Sequence, residues 1–102
     1  MIERIVLIKL KDECCTDAER EEIARYSVQA LKGLLGVRSL LVGTPADEAA
    51  AKSWDISITL HFDSSEAAEQ FRTDPAHRSY VDDYLRTRME VIKAWNFKVT
   101  PS

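Results

Sequence analysis

The chain has 102 residues, 45% apolar and 30% charged, with a formal net charge of −3, and one domain spanning residues 1–102 is expected. That charge gives no field for a polyanion, and the lysines and arginines are scattered without interleaved aromatics, so nucleic acid is not an expected partner. No apolar run approaches the roughly 20 residues of a membrane helix, and the run that begins at Ile5 is too short for a signal peptide, so a cytoplasmic location is expected.

Residues 3–10 are apolar at both parities and rich in β-branched side chains, which predicts a strand covered on both faces. Next come Cys14 and Cys15. A bridge between neighbours would be badly strained, so they form no disulfide framework and agree with a reducing compartment. They read as a redox or metal pair ahead of a helix, or as two small loop residues. Thr16 with Glu19 makes a capping box that opens a helix over 17–32. Its apolar stripe is Ile23, Tyr26, Ala30, Leu31 and Leu34, and Gly33 and Gly36 supply the positive-φ exit.

A second strand is predicted over 37–44, and an exposed Ala- and acid-rich loop over 46–52. Residues 53–62 alternate most clearly. Trp54, Ile56, Ile58, Leu60 and Phe62 share one face, while Asp55, Ser57, Thr59 and His61 share the other. Asp63 with Glu66 caps a short helix ending near Thr73. Asp74-Pro75 then restarts a helix, with Asp74 as N-cap and Pro75 at the first helical position. That helix is predicted to reach residue 90 with Tyr80, Val81, Tyr84, Leu85 and Met89 along one stripe, and 91–100 form the last strand.

The order β-α-β-β-α-β gives an α+β, ferredoxin-like fold with a four-stranded antiparallel sheet, and right-handed crossovers place both helices on one face. The first, second and fourth strands nonetheless carry apolar side chains at both parities: Ile5 against Val6, Leu40 against Leu41, and Ile92 against Trp95. A bare face holding several such groups is a large apolar patch, and a two-fold homodimer would bury it.

Arg4 to Asp12, Gly36 to Gly43, the strand ending at Phe62 and above all Asp74-Pro75-Ala76-His77 together resemble the stress-responsive A/B barrel (Dabb) family. The resemblance covers nearly the whole chain in order. It implies a dimeric α/β barrel, two four-stranded sheets closing around a shared interior. It also implies, through the family's plant polyketide cyclase, ring closure without a cofactor. There the chemistry is attributed to the second histidine of a His-Pro-x-His segment, to a histidine near the start of the first strand, and to nearby tyrosines. His77 is the counterpart of the first of these; Arg4 stands where the first-strand histidine would be, and Asp74 replaces the leading histidine of the segment.

Among candidate site residues His77 comes first. Near a helix N-terminus and partly buried, its imidazole is favoured neutral and suited to take a proton next to a carbonyl. It would equally serve as a joint, bonding a loop carbonyl between two helix segments. Tyr26, Tyr80 and Tyr84 are candidates to donate phenolic hydrogen bonds to an enolate or to line a ligand, although aromatics at helical spacing also build core. Arg4, if it points inward, would hold a carboxylate, or else pair with an acid at an edge. His61 and Asp55 are expected on the polar face of the third strand, toward the dimer interior, with His61 a candidate ligand contact.

No phosphate loop, Cys-x-x-Cys, His-Glu-x-x-His or Gly-x-Ser-x-Gly is present, and no cofactor or metal is expected. Three functions follow. One is a Dabb homodimer of undefined role that binds a small ligand. Another is a cofactor-independent cyclase, isomerase or lyase with His77 as base. The last, by fold analogy alone, is a small monooxygenase of the antibiotic-biosynthesis type.

Overall fold

The computed structural model describes residues 1–101. The strands β1 (Ile2–Leu10), β2 (Ser39–Gly43), β3 (Ile56–Phe62) and β4 (Met89–Lys98) form one antiparallel sheet in the order β2-β3-β1-β4. The helices are α1 (Asp17–Leu31), α2 (Glu48–Ser53), α3 (Ser65–Thr73) and α4 (Pro75–Ser79), and α4 runs on into a π-helical segment over Tyr80–Leu85.

Parity sorts the sheet. Val6, Ile8 and Leu10 of β1 and Ile56, Ile58, Leu60 and Phe62 of β3 are buried, packing with Ile23 and Leu31 of α1, Phe71 of α3, and Tyr80 and Leu85. The opposite parity of β1 pairs Ile5 with Trp95 and Glu3 with Phe97, and on this second face Trp95 and Phe97 are exposed at 46% and 50% and Leu41 of β2 at 71%. Helices thus cover one face, and the apolar groups of the other stand in the open.

Local chemistry sets the element ends. Thr16 Oγ1 accepts from the Glu19 amide at 3.2 Å, as its capping role requires. Gly33 and Gly36 both take positive φ after α1, and a Cβ on Gly36 would also press on Ala67 Cβ at 3.4 Å.

Five expectations change, four of them in the helices. Residues 46–52 are not simply loop: Asp47 Oδ1 accepts from the Ala50 amide at 2.9 Å and starts α2. The cap of α3 is Ser64, which accepts from the Ala67 amide, whereas Asp63 pairs with Arg38 at 3.6 Å. The stripe of α1 is Ile23, Ser27 and Leu31, so Tyr26 lies off it and is 44% exposed. The last helix ends at Leu85, where Arg86 N–H bonds the Val81 carbonyl five residues back; Met89 and Glu90 belong to β4. The π-helical period also explains why Tyr80 and Leu85, five apart, are both buried.

Asp55 is the largest departure. Expected on the polar face, it sits just before β3 and is only 1% exposed. Its Oδ2 accepts from the Leu10 amide at 2.7 Å, and its Oδ1 from Arg20 Nη2 at 2.7 Å and Nε at 3.0 Å. Burial pushes this carboxyl up, but the Leu10 amide and the Arg20 guanidinium outweigh it and hold it below its ordinary value. The group joins the end of β1, the start of β3 and the first turns of α1. A carboxyl depressed on folding stabilises the native state above its unfolded pKa, and that contribution is lost as pH falls through the folded value. Asp55→Ala should therefore lower urea-unfolding stability by about 3 kcal/mol at neutral pH, while Asp17→Ala, on the solvent side of the same arginine, should change it by less than about 0.5 kcal/mol. A loss below about 1 kcal/mol for Asp55→Ala would show that the cluster holds nothing together.

Candidate functional site

The site begins at the joint between α3 and α4. A residue preceding proline is driven out of the helical region, and Asp74 accordingly takes φ −61°, ψ 130°. Its carboxylate Oδ1 then accepts from the Ala76 amide at 2.7 Å and the His77 amide at 3.4 Å, restarting the chain as α4. This cap fixes His77 as the third residue of α4 and turns it inward, where its ring packs on Phe71 with centroids 4.3 Å apart.

His77 Nδ1 lies 3.2 Å from the Arg72 carbonyl oxygen. A carbonyl only accepts, so Nδ1 carries the proton and Nε2 is left with its lone pair. Among the described residues Nε2 has no hydrogen-bond partner. Burial pushes the imidazole below its ordinary pKa and outweighs the support of the Arg72 carbonyl; Arg4 and Arg78 push it further down, and Asp74 partly opposes them. The bond that fixes the helix junction thus also selects the tautomer with a free Nε2.

His77 borders a cavity of about 230 Å³ between the sheet and the α3–α4 layer. Its walls include Val6, Leu60, Phe71 and Tyr80, and Arg4 reaches it from β1. Arg72 and Arg78, both exposed, stand at its margin. Arg4 points to the helix side, as its parity with Val6 and Ile8 requires. Its Nη1 donates to Asn96 Oδ1 on β4 at 3.1 Å, whereas its Nε is buried without a partner.

The tyrosines divide. Ser27 Oγ donates its only proton to the Ile23 carbonyl at 2.7 Å, so the Tyr80 hydroxyl, 2.5 Å from Ser27 Oγ, must donate to it. Tyr80 is 4% exposed and burial pushes its pKa up to about 12. It therefore walls the cavity with its ring while its hydroxyl clamps α1 to the segment after α4. Tyr26 and Tyr84 stack face to face with centroids 3.7 Å apart, and Arg88 lies 3.9 Å over the Tyr84 ring. Neither borders the His77 cavity. His61 lies across the sheet on the open face, with Nε2 2.9 Å from Glu3 Oε1 and Nδ1 2.6 Å from Ser39 Oγ, so both of its nitrogens are engaged.

Two features escaped sequence reasoning. Ser27, wholly buried, orients Tyr80, yet a serine on a helix carries no signal for that role. Arg72 supplies the carbonyl that selects the His77 tautomer, a contribution independent of its side chain. As for the cysteines, Cys15 Sγ bonds the Leu10 and Lys11 carbonyls, and burial, then Asp55, push its thiol up, away from the reactive thiolate. Among the described residues no cluster of His, Cys, Asp and Glu is placed to hold a metal.

The stress responsive A/B barrel domain model matches residues 2–99. The chain belongs to that family. Among solved structures it is similar to a Dabb family protein with a ferredoxin-like fold from Mesorhizobium loti (15% identity, 98% of this chain and 97% of that one, TM-score 0.81). It is also similar to a dimeric protein of unknown function from Bacteroides fragilis (20%, 96% and 95%, 0.78). A third similar structure is a hydroxynitrile lyase from Passiflora edulis (13%, 99% and 94%, 0.76). No curated protein matches the chain. As a Dabb domain with a ferredoxin-like sheet, the chain keeps the family's architecture, and its biochemical role is undefined.

Arg4 and His77 should be coupled through the cavity they share. Replacing Arg4 by Met removes a positive charge that holds the imidazole down, so His77 should titrate at higher pH in Arg4→Met than in the unmodified protein when followed by ¹H NMR. An unchanged or lowered midpoint would mean that the two groups do not sense each other.

Proposed function

We propose that this chain is a homodimeric Dabb protein that binds a small molecule in the His77 cavity and uses His77 Nε2 as a general base on it, without a cofactor. The observation that carries the reading is the paired state of His77: Nδ1 is spent on the Arg72 carbonyl, and Nε2 is free beside a cavity of about 230 Å³. A neutral imidazole is competent to accept a proton near pH 7, and such a base contributes roughly 10²–10⁴-fold in rate. The step suited to it is removal of a proton from carbon next to a carbonyl. The C–H electron pair moves toward the carbonyl oxygen as an enolate, in a cavity whose positive charge favours the developing anion. Return of that proton to a different atom makes an isomerisation; attack of the enolate carbon on a second carbonyl of the same molecule makes a cyclisation. In a lyase step the same lone pair takes a hydroxyl proton of the substrate, the oxygen's electron pair forms a carbonyl, and the adjacent carbon–carbon bond breaks with its pair leaving on the departing carbanion.

The dimer reading is supported by the open sheet face. Leu41, Trp95 and Phe97 are exposed there, beside Ile5 and Leu7, a patch that association would bury. On that face His61, with Glu3 and Ser39, serves as a polar contact within the interface rather than a ligand for the cavity. A cytoplasmic setting is supported by the two free cysteines. No helix among the described residues is long and apolar enough to cross a membrane.

Two experiments check these readings. Light scattering at micromolar concentration should give the mass of two chains, and Leu41→Glu combined with Trp95→Glu should give a folded monomer. A variant that stays dimeric would place the interface elsewhere. For the chemistry, exchange of the α-protons of phenylacetone in D₂O should be faster with the unmodified protein than with His77→Gln by about tenfold or more. Equal rates would remove His77 from the base role.

A further inference from the structure

The cavity contains one charge that the fold leaves unanswered. Arg4 lies on the helix side of β1, flanked by its register partners Leu60 on β3 and Asn96 on β4. The other two arginines of the cavity have their own carboxylates: Arg72 pairs with Glu69 at 2.7 Å, and Arg78 with Asp82 at 3.3 Å. Arg4 takes part in no ion pair among the described residues. Its one side-chain bond is to a neutral acceptor, Asn96 Oδ1, and its Nε–H is buried with nothing to receive it. Among the described residues no aspartate or glutamate lines the cavity.

An unpaired charge in a partly buried site is costly, and the Arg4 guanidinium lines the cavity with no carboxylate paired to it among the described residues, which suits it to an anion that arrives from outside. The fixed fork of N–H groups along one edge matches the two oxygens of a carboxylate. Burial, then Arg72, push Arg4 down from its ordinary value, with Glu69 opposing them, and an incoming anion would relieve both. The rest of the wall is apolar, drawn from Val6, Ile58, Leu60, Phe71, Leu85 and Ile92. A dry cavity of about 150 Å³ suffices for benzene, so about 230 Å³ takes a ring or branched chain of that size together with one carboxylate. Arg72 and Arg78 at the margin add positive potential on the approach.

Building on the reading of this cavity as a ligand site, we propose that it selects small monocarboxylates with an aromatic or branched apolar body, and that Arg4 is their anion receptor through the guanidinium where it lines the cavity. The carboxylate lies against Arg4 and the apolar body fills the space toward Phe71 and Leu85. Arg4 is then a determinant of which molecule is presented to His77.

The test uses the intact protein and two probes of nearly equal shape, benzoate and benzamide, at pH 7 by calorimetry. The Arg4 Nε–H resonance is followed in parallel by ¹⁵N NMR. Benzoate should bind at least about tenfold more tightly than benzamide, the scale of one charge-assisted bond, and should move the Arg4 Nε–H resonance. Arg4→Met should abolish the preference, and Arg4→Lys, which keeps the charge but not the fork, should lose most of it. If benzamide binds as tightly as benzoate, the anion selectivity is overturned while the cavity survives as a ligand site. Benzoate binding that moves the resonances of other arginines and not that of Arg4 overturns the assignment in the same way. If neither probe binds at millimolar concentration, the ligand site fails and the selectivity with it. The preference and the resonance are read on the unmodified protein, so a variant that does not fold leaves the test intact.

Discussion

A four-stranded sheet has two faces, and in this chain the helices suffice for one. That constraint organises the molecule. On the helix side, β1 and β3 supply an apolar floor, interrupted at Arg4, on which α1, α3 and the segment after α4 rest. On the other side, the opposite parity of the same strands leaves Leu41, Trp95 and Phe97 exposed. The first face holds the cavity with Arg4 and His77; the second holds His61 with its engaged nitrogens. Residues that look like one functional set in the sequence are thus separated by the thickness of a sheet.

The helix layer opens a cavity because it is interrupted. Asp74-Pro75 ends α3 and begins α4 within one residue, and this break brings an imidazole, a backbone carbonyl and the floor of the sheet together. The π-helical segment that follows keeps Tyr80 and Leu85 both turned inward, where a regular α-helix would have rotated one of them outward. Segments of this kind recur at functional sites because they trade regular hydrogen bonding for side-chain placement. Asp55 and Arg20, at the far end of the sheet, fix the other boundary by joining β1, β3 and α1.

The architecture was legible wherever a side chain's role is set by its immediate neighbours. The alternation of β3, the Thr16 and Asp74 caps, and the glycines after α1 act over a few residues, and each acts as its chemistry requires. His77 was legible for the same reason, since the Asp-Pro pair before it sets both helix start and orientation. The direction of Arg4 was left open by the sequence, and the structure turns it to the helix side with Val6 and Ile8. What was not legible depends on competition or on distant contacts. Asp63 and Ser64 can both cap α3, and the choice fell to Ser64 while Asp63 reached Arg38. The break in alternation at Asp55 is set by Arg20, 35 residues away in sequence.

A base at this site requires one protonation state, a neutral His77 with its proton on Nδ1 and an open lone pair on Nε2. Two-bond ¹H–¹⁵N NMR of the ligand-free protein at pH 7 reads this directly. One protonated nitrogen, Nδ1, is expected, with a bare Nε2 whose resonance shifts when a ligand enters the cavity. An imidazolium, or a proton on Nε2, would contradict this, because Nε2 would then have no lone pair to offer.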